Sequence, residues 1–154
     1  MGMAGIPWFT TDMGGFHDGI IDSDDFKELL ARWCAFSCFL PVMRNHGDRS
    51  LHTATGKETI TNSAGDHRSP SGADNEPWSY GPEMEQIFRK FIAIREKMRP
   101  YTRELFESAH IDGQPLVRGL FYEFPQDKSV SDIADEYMFG PDILVAPVVE
   151  AGAR

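Results

Sequence analysis

The chain has 154 residues, 41% hydrophobic and 12% aromatic, with 24 acidic against 15 basic side chains and a formal net charge of −9. That composition is globular, and an acidic balance without a Lys/Arg stripe excludes recognition of a nucleic-acid backbone. No apolar run approaches the roughly 18 residues of a membrane-spanning helix.

Residues 5–16, Gly-Ile-Pro-Trp-Phe-Thr-Thr-Asp-Met-Gly-Gly-Phe, read as a short buried strand that delivers Asp12 to a glycine turn. Ile6, Trp8 and Phe9 suit a strand, and Gly14-Gly15 let the backbone turn sharply or run close to a ligand. A carboxylate at the tip of an apolar strand fits two roles, a site residue or the cap of the next turn. Ser23 or Asp24 then caps a helix over 24–38. Its apolar residues Phe26, Leu29, Leu30, Trp33 and Phe36 recur at three- and four-residue spacing. Cys34 and Cys38, the only cysteines, share one face of it. No nearby Cys or paired His completes a zinc set, and a regular helical turn does not aim the two thiols at each other. They read as small core residues, with no metal expected.

Pro41 ends this helix, and Val42–His46 reads as a second short strand. Strand, helix, strand with tight connections is the pattern of a parallel β-α-β unit. Arg44 and His46 alternate onto the same side. They fit either a site shared with Asp12, at the same end of the preceding strand, or a structural ion pair and a loop-bonding histidine. Residues 47–80 are polar and without periodicity, a length of loop that is usually functional. His52 and His67 lack ligand-like spacing there and read as solvated. Glu76-Pro77-Trp78-Ser79-Tyr80 closes the stretch with two aromatics.

An amphipathic pattern runs from Pro82 to Ala109, and Pro100 predicts a kink or two abutting helices, the second opened by the proline. Asp112-Gly113 ends it. Residues 115–123 read as a strand, Val130–Glu136 as a short helix and 142–149 as a further buried strand.

Trp8-Phe9-Thr10-Thr11-Asp12-Met13-Gly14-Gly15-Phe16 resembles the W-x-x-D-(I/M)-G-G-F signature of glycoside hydrolase family 31, the α-glucosidase and α-xylosidase family. Arg32–Phe36, Met43–Gly47, Glu76–Trp78, Arg99–Tyr101, Tyr137–Gly140 and Val145–Val148 resemble further family segments in the same order. The resemblance implies the C-terminal part of a (β/α)8 TIM barrel over 1–112, holding about strands seven and eight with their helices. It implies the first strands of a β-sandwich domain over 113–154.

The activity implied is a retaining α-glycosidase acting on terminal α-linked glucose or xylose, with no cofactor. Both catalytic carboxylates are expected in segments upstream of this chain, so no catalytic residue is assigned and the chain alone is expected to be inactive. The resemblance matches His46 to the histidine that hydrogen-bonds sugar hydroxyls, Phe16 to the aromatic pocket wall and Asp12 to the acid at the pocket floor. Arg44 is expected to pair with Asp12. Trp8 and Trp78 are candidates to stack on sugar faces, and Trp8 equally suits burial in the barrel. The partners implied are an α-linked oligosaccharide or glycoside and the rest of the barrel, from the same gene or a partner chain. Two alternatives stand beside a fragment: one subunit of a split glycosidase, and a non-catalytic carbohydrate-binding or interaction protein derived from this barrel. The compartment stays open.

Overall fold

The computed structural model describes residues 2–16, 19–47, 49, 60–61, 67–68 and 74–153. Helix α1, Asp24–Ser37, begins where Ser23 accepts a hydrogen bond from the Phe26 amide at 3.5 Å, with Asp24 and Asp25 at the positive end of the helix dipole. It ends ahead of Pro41, where the amides of Cys38, Phe39 and Leu40 turn back to the carbonyls of Cys34, Phe36 and Ser37.

Residues 6–12 and 42–46 flank α1 as extended chain. Two backbone hydrogen bonds join them, Val42 N–H to Phe9 O at 3.3 Å and Met13 N–H to Arg44 O at 3.4 Å. Pairing 9 with 42 and 13 with 44 is the order of chains running the same way, as a β-α-β unit requires. Neither segment forms a strand ladder, however, so both expected strands are corrected to extended segments. The physical reason is that an isolated pair of parallel strands is marginal. Ile6 and Trp8, expected to be buried, are 43% and 67% exposed.

Within the polar stretch, β1 (Ile60–Thr61) and β2 (His67–Arg68) pair antiparallel with Ile60 opposite Arg68. The reading of His52 as solvated lies outside the described residues, and that of His67 rests on a side chain outside the description. Helix α2, Pro82–Lys97, and helix α3, Arg99–Asp112, meet at Met98, so the amphipathic run is two abutting helices. Pro100 stands in the first turn of α3, where its missing N–H leaves no helical bond unmade. Gly113, left-handed at φ 71°, closes α3 on the carbonyl of Ala109.

The C-terminal part is a three-stranded antiparallel sheet in the order β3 (Val117–Arg118), β4 (Tyr137–Phe139), β5 (Ile143–Val145). Three expectations are corrected here. The strand predicted over 115–123 shrinks to β3, because Leu120–Glu123 coils into a one-turn helix, α4. Arg118 closes that turn, binding the Pro115 carbonyl and the Glu123 carboxylate. The helix predicted over Val130–Glu136 is replaced by a 3-10 turn at Lys128–Val130 capped by Asp127, there being no apolar stripe to hold a longer one. The strand predicted over 142–149 pairs only as β5, since its partner β4 is three residues long.

The core has two parts. Leu30, Cys34, Tyr80, Met84 and Phe88 pack between α1 and α2, while Leu105, Leu116, Phe139 and Val145 pack between α3 and the sheet. A second side of α1, with Leu29, Trp33 and Phe36, lines a groove of about 370 Å³ against residues 147–151. Among the described residues, no helix is long and apolar enough to cross a membrane.

Cys34 and Cys38 are free and fully buried. Burial pushes the Cys34 thiol up to about 12, helped by Cys38, and the Cys38 thiol up to about 11 against the opposing pull of Arg95. Unfolded thiols ionise near about 8.5, so the folded chain keeps protons that the unfolded chain releases. Stability is therefore full below about pH 8.5 and falls by about 1.4 kcal/mol per pH unit per thiol on the way to pH 11. Buried Tyr80 and partly buried Tyr137, whose phenols are also raised by desolvation, add to the loss in the same direction. Urea midpoints measured from pH 8 to pH 11 are expected to fall, and Cys34→Ala with Cys38→Ala to flatten the slope. Midpoints independent of pH would contradict the burial.

Candidate functional site

Asp12 stands at the end of the first extended segment, and its carbonyl accepts the Gly15 amide at 2.9 Å to close a turn. Gly14 and Gly15 have φ of 80° and 86°, a region that side chains other than glycine occupy only under strain. The turn places Phe16 beside the end of the second extended segment. There the Arg44 Nε lies 3.3 Å from the Asp12 Oδ1, and the ring of His46 lies 5.1 Å from that of Phe16, tilted by 41°. Asp12, Phe16, Arg44 and His46 thus form one cluster, and Phe16, Arg44 and His46 in it are exposed. An ion pair, an imidazole and an apolar ring on an open surface are what recognition of a polyhydroxylated ring requires. The imidazole bonds hydroxyls and the aromatic face takes C–H groups.

The cluster is held from behind. Trp33 of α1 donates its indole N–H to the Thr11 hydroxyl at 2.7 Å, fixing the residue before Asp12. Asn45 donates to the carbonyl of Asn75 at 2.6 Å, and Asn75 donates to the carbonyl of Gly47 at 3.0 Å. The Tyr80 hydroxyl donates to Asn75 Oδ1 at 2.5 Å and accepts from Arg49 Nε at 2.9 Å. Burial pushes the Tyr80 phenol up while the Arg49 guanidinium pulls it back. Arg49, 1% exposed, also donates to the carbonyls of Met13 at 2.6 Å and Gly15 at 2.9 Å.

Two residues named from the sequence are not brought to this cluster. Trp8 packs on Phe106 of α3 with ring centroids 4.3 Å apart. It lies four residues before Asp12 in extended chain, about 13 Å away at the usual rise per residue. Trp78 sits on the 3-10 turn Pro77–Tyr80 and is 65% exposed. Arg49 and Asn75 were missed, because a single arginine or asparagine in a polar stretch carries no periodic signal. The one hint was Gly14-Gly15, a pair that lets another group approach closely. Gly65-Asp66-His67-Arg68-Ser69 also reads G-D-x-x-S, like the family loop that bears an acid. Asp66 lies outside the described residues and downstream of both extended segments, whereas the resemblance puts the catalytic acids upstream of them.

Residues 1–105 match the family description "Glycosyl hydrolases family 31 TIM-barrel domain", and residues 113–154 match "Glycosyl hydrolase family 31 C-terminal domain". The chain belongs to glycoside hydrolase family 31. Among solved structures, this family 31 chain is similar to a GH31 α-xylosidase from a soil metagenome complexed with xylose. The two are 46% identical with a TM-score of 0.84, covering 100% of this chain and 22% of that one. It is 32% identical to Alpha-xylosidase A of Aspergillus niger, over 94% of this chain and 20% of the relative. It is 31% identical to Alpha-glucosidase 2 of Bacillus thermoamyloliquefaciens, over 97% of this chain and 16% of the relative. The chain therefore spans about a fifth of the length of the relatives it matches.

The Asp12–Arg44 pair is partly exposed on both sides, 25% and 44%, so solvent screens it. Asp12→Asn is expected to change stability by less than about 1 kcal/mol, read as a shift in the urea midpoint. A loss well beyond that would mean that Asp12 holds the fold itself. Removing the partly buried Trp33 donor by Trp33→Phe is expected to cost about 0.5–1.5 kcal/mol in the same assay.

Proposed function

We propose that this chain is the C-terminal part of the catalytic barrel of a retaining α-glycosidase, with the following domain beginning at about residue 113. Residues 6–12 and 42–46 correspond to barrel strands seven and eight and carry one wall of the pocket for a terminal α-linked xylose or glucose. The nucleophile and the acid/base stand outside residues 1–154. The observation that carries this reading is the likeness, over the whole chain, to an α-xylosidase complexed with xylose. A complete (β/α)8 barrel takes about 250 residues, and the relatives are roughly five times longer than the chain, which supports a barrel completed by other segments.

In this reading His46 hydrogen-bonds the sugar hydroxyls and Phe16 packs on the apolar face of the ring. Asp12 holds Arg44, which fixes the strand end from which His46 projects. Retention needs two carboxyl groups about 5–5.5 Å apart, one attacking the anomeric carbon and one moving the proton. The wall formed here sets the sugar against that pair. Hydrogen bonds that tighten as the oxocarbenium-like transition state forms lower the barrier, and His46 is the group in this chain placed to make one.

The test is the enzyme that carries this chain, assayed with nitrophenyl α-xyloside and α-glucoside. Turnover with retained anomeric configuration is expected. His46→Ala is expected to lower kcat/KM by about 10- to 100-fold, the cost of leaving a sugar hydroxyl unpaired in a closed pocket. Residues 1–154 alone are expected to give no turnover, and activity to appear on adding a fragment that supplies the preceding strands. Turnover by residues 1–154 unaided would overturn the assignment of the acids. Sugar affinity without turnover by the longer protein would replace the hydrolase reading with a carbohydrate-binding one.

A further inference from the structure

The turn from Asp12 to Phe16 does not hold its shape by itself. Two successive left-handed glycines are entropically expensive to fix, and the Met13 and Gly15 carbonyls on either side of Gly14 turn toward the interior. Both meet the guanidinium of Arg49, 34 and 36 positions downstream, through Nη1 to Gly15 and Nη2 to Met13. The fit is mutual. A Cβ on Gly14 would come within 2.9 Å of that same Nη2, and one on Gly47 within 2.4 Å of the Phe16 carbonyl oxygen. The remaining edge of the guanidinium donates to Tyr80, whose hydroxyl bonds Asn75, which in turn holds the Gly47 carbonyl. The face lies over the Phe26 ring at 5.3 Å.

We propose that Arg49 is a positioning residue of the pocket, a clasp that sets Phe16 against His46 and Asp12 against Arg44 without touching the sugar. Through Tyr80 and Asn75 it ties the turn to the Gly47 carbonyl as well. The consequence for binding rests on the sugar-pocket reading above; the clasp itself does not. A lysine cannot replace it, because one ammonium on a flexible stem does not reach three acceptors in the fork geometry of a guanidinium.

The experiment compares Arg49→Ala, Arg49→Lys and Tyr80→Phe in the enzyme that carries this chain, by steady-state kinetics and by amide hydrogen exchange. Arg49→Ala is expected to raise KM for the aryl α-glycoside by about 10- to 100-fold with kcat changed much less, and Arg49→Lys to recover little of it. Guanidinium added at non-denaturing concentration is expected to restore KM in Arg49→Ala and not in the parent. Exchange of the Gly15 amide is expected to quicken at least about tenfold, as the turn opens, while the amides of α1 keep their protection. If Arg49→Ala does not fold, Tyr80→Phe carries the test through the same two readouts. Unchanged KM and unchanged Gly15 exchange in folded variants would overturn the clasp. A parent enzyme that cleaves no α-glycoside would overturn the sugar reading, leaving the exchange result to decide the clasp separately.

Discussion

Carbonyl groups in tight, non-helical turns must find donors once they are shut away from water, and at the two ends of the segment 42–46 arginines supply them. Arg95 of α2 donates to the carbonyls of Cys38, Leu40 and Pro41, in the turn that enters the segment 42–46. Arg49 donates to Met13 and Gly15, in the turn packed against the other end of that segment. Each guanidinium lies over an aromatic ring, Phe139 at 5.8 Å and Phe26 at 5.3 Å, which offsets part of the loss of water. Burial still acts on Arg95, holding it below the usual arginine range. The segment that carries Arg44 and His46 is thus fixed at entry and exit by side chains from other elements. Its own two long hydrogen bonds to residues 9 and 13 would not suffice.

Helix α1 depends on the same logic at larger scale. An amphipathic helix with one apolar stripe needs one partner; α1 has two apolar sides and takes two. Leu30 and Cys34 go into the core with α2, while Trp33 and Phe36 turn toward residues 147–151. Polar contacts fix the second side in register. Glu28 accepts the Gly152 amide at 2.8 Å, and Arg32, paired with Glu28, donates to the Ala153 carbonyl at 2.8 Å. The Gly152 amide, then Arg32, hold the Glu28 carboxyl below its usual range. Tyr137 reaches across to the Phe39 carbonyl and Tyr101 to that of Phe139. Through Trp33 and Thr11 these contacts reach the residue beside Asp12. The C-terminal part therefore supports the residues around Asp12 through α1.

What could be read from the sequence follows the range of the forces involved. Helix α1 was legible because its cap and its apolar period are local, and the break at Met98 because Pro100 acts on its own turn. The cluster of Asp12, Phe16, Arg44 and His46 was legible through the family signature and through the alternation that puts Arg44 and His46 on one side. The strands were legible only in part, β3 and β5 forming inside longer expected runs, because a ladder is a property of neighbours: residues 6–12 carry strand-forming side chains and still lack one. Leu120–Glu123 followed the same rule in reverse. Its apolar and aromatic residues suit a strand, yet the contact of Arg118 with Pro115 and Glu123 turns the chain first. Arg49 was the least legible of all, its hydrogen-bond acceptors Tyr80, Gly15 and Met13 lying more than thirty positions away.

The same contacts explain why Asp12 suits a holding role better than a cutting one. A nucleophile in a retaining glycosidase must present a free oxygen to the anomeric carbon, and its companion must pass a proton, so the two carboxyl groups face each other across the bond. Asp12 instead faces a guanidinium, and its backbone is folded into a turn whose carbonyls face another. Moving its carboxylate toward a substrate would break the pair with Arg44 and disturb the end of the extended segment that carries His46. A strut of this kind does its work by not moving. Catalysis needs such struts because an error of an ångström in the sugar's placement is enough to lose a large part of the advantage of holding it. Two glycines, an arginine drawn from a polar stretch and a tyrosine at its far end are the means by which this chain fixes the turn from Asp12 to Phe16.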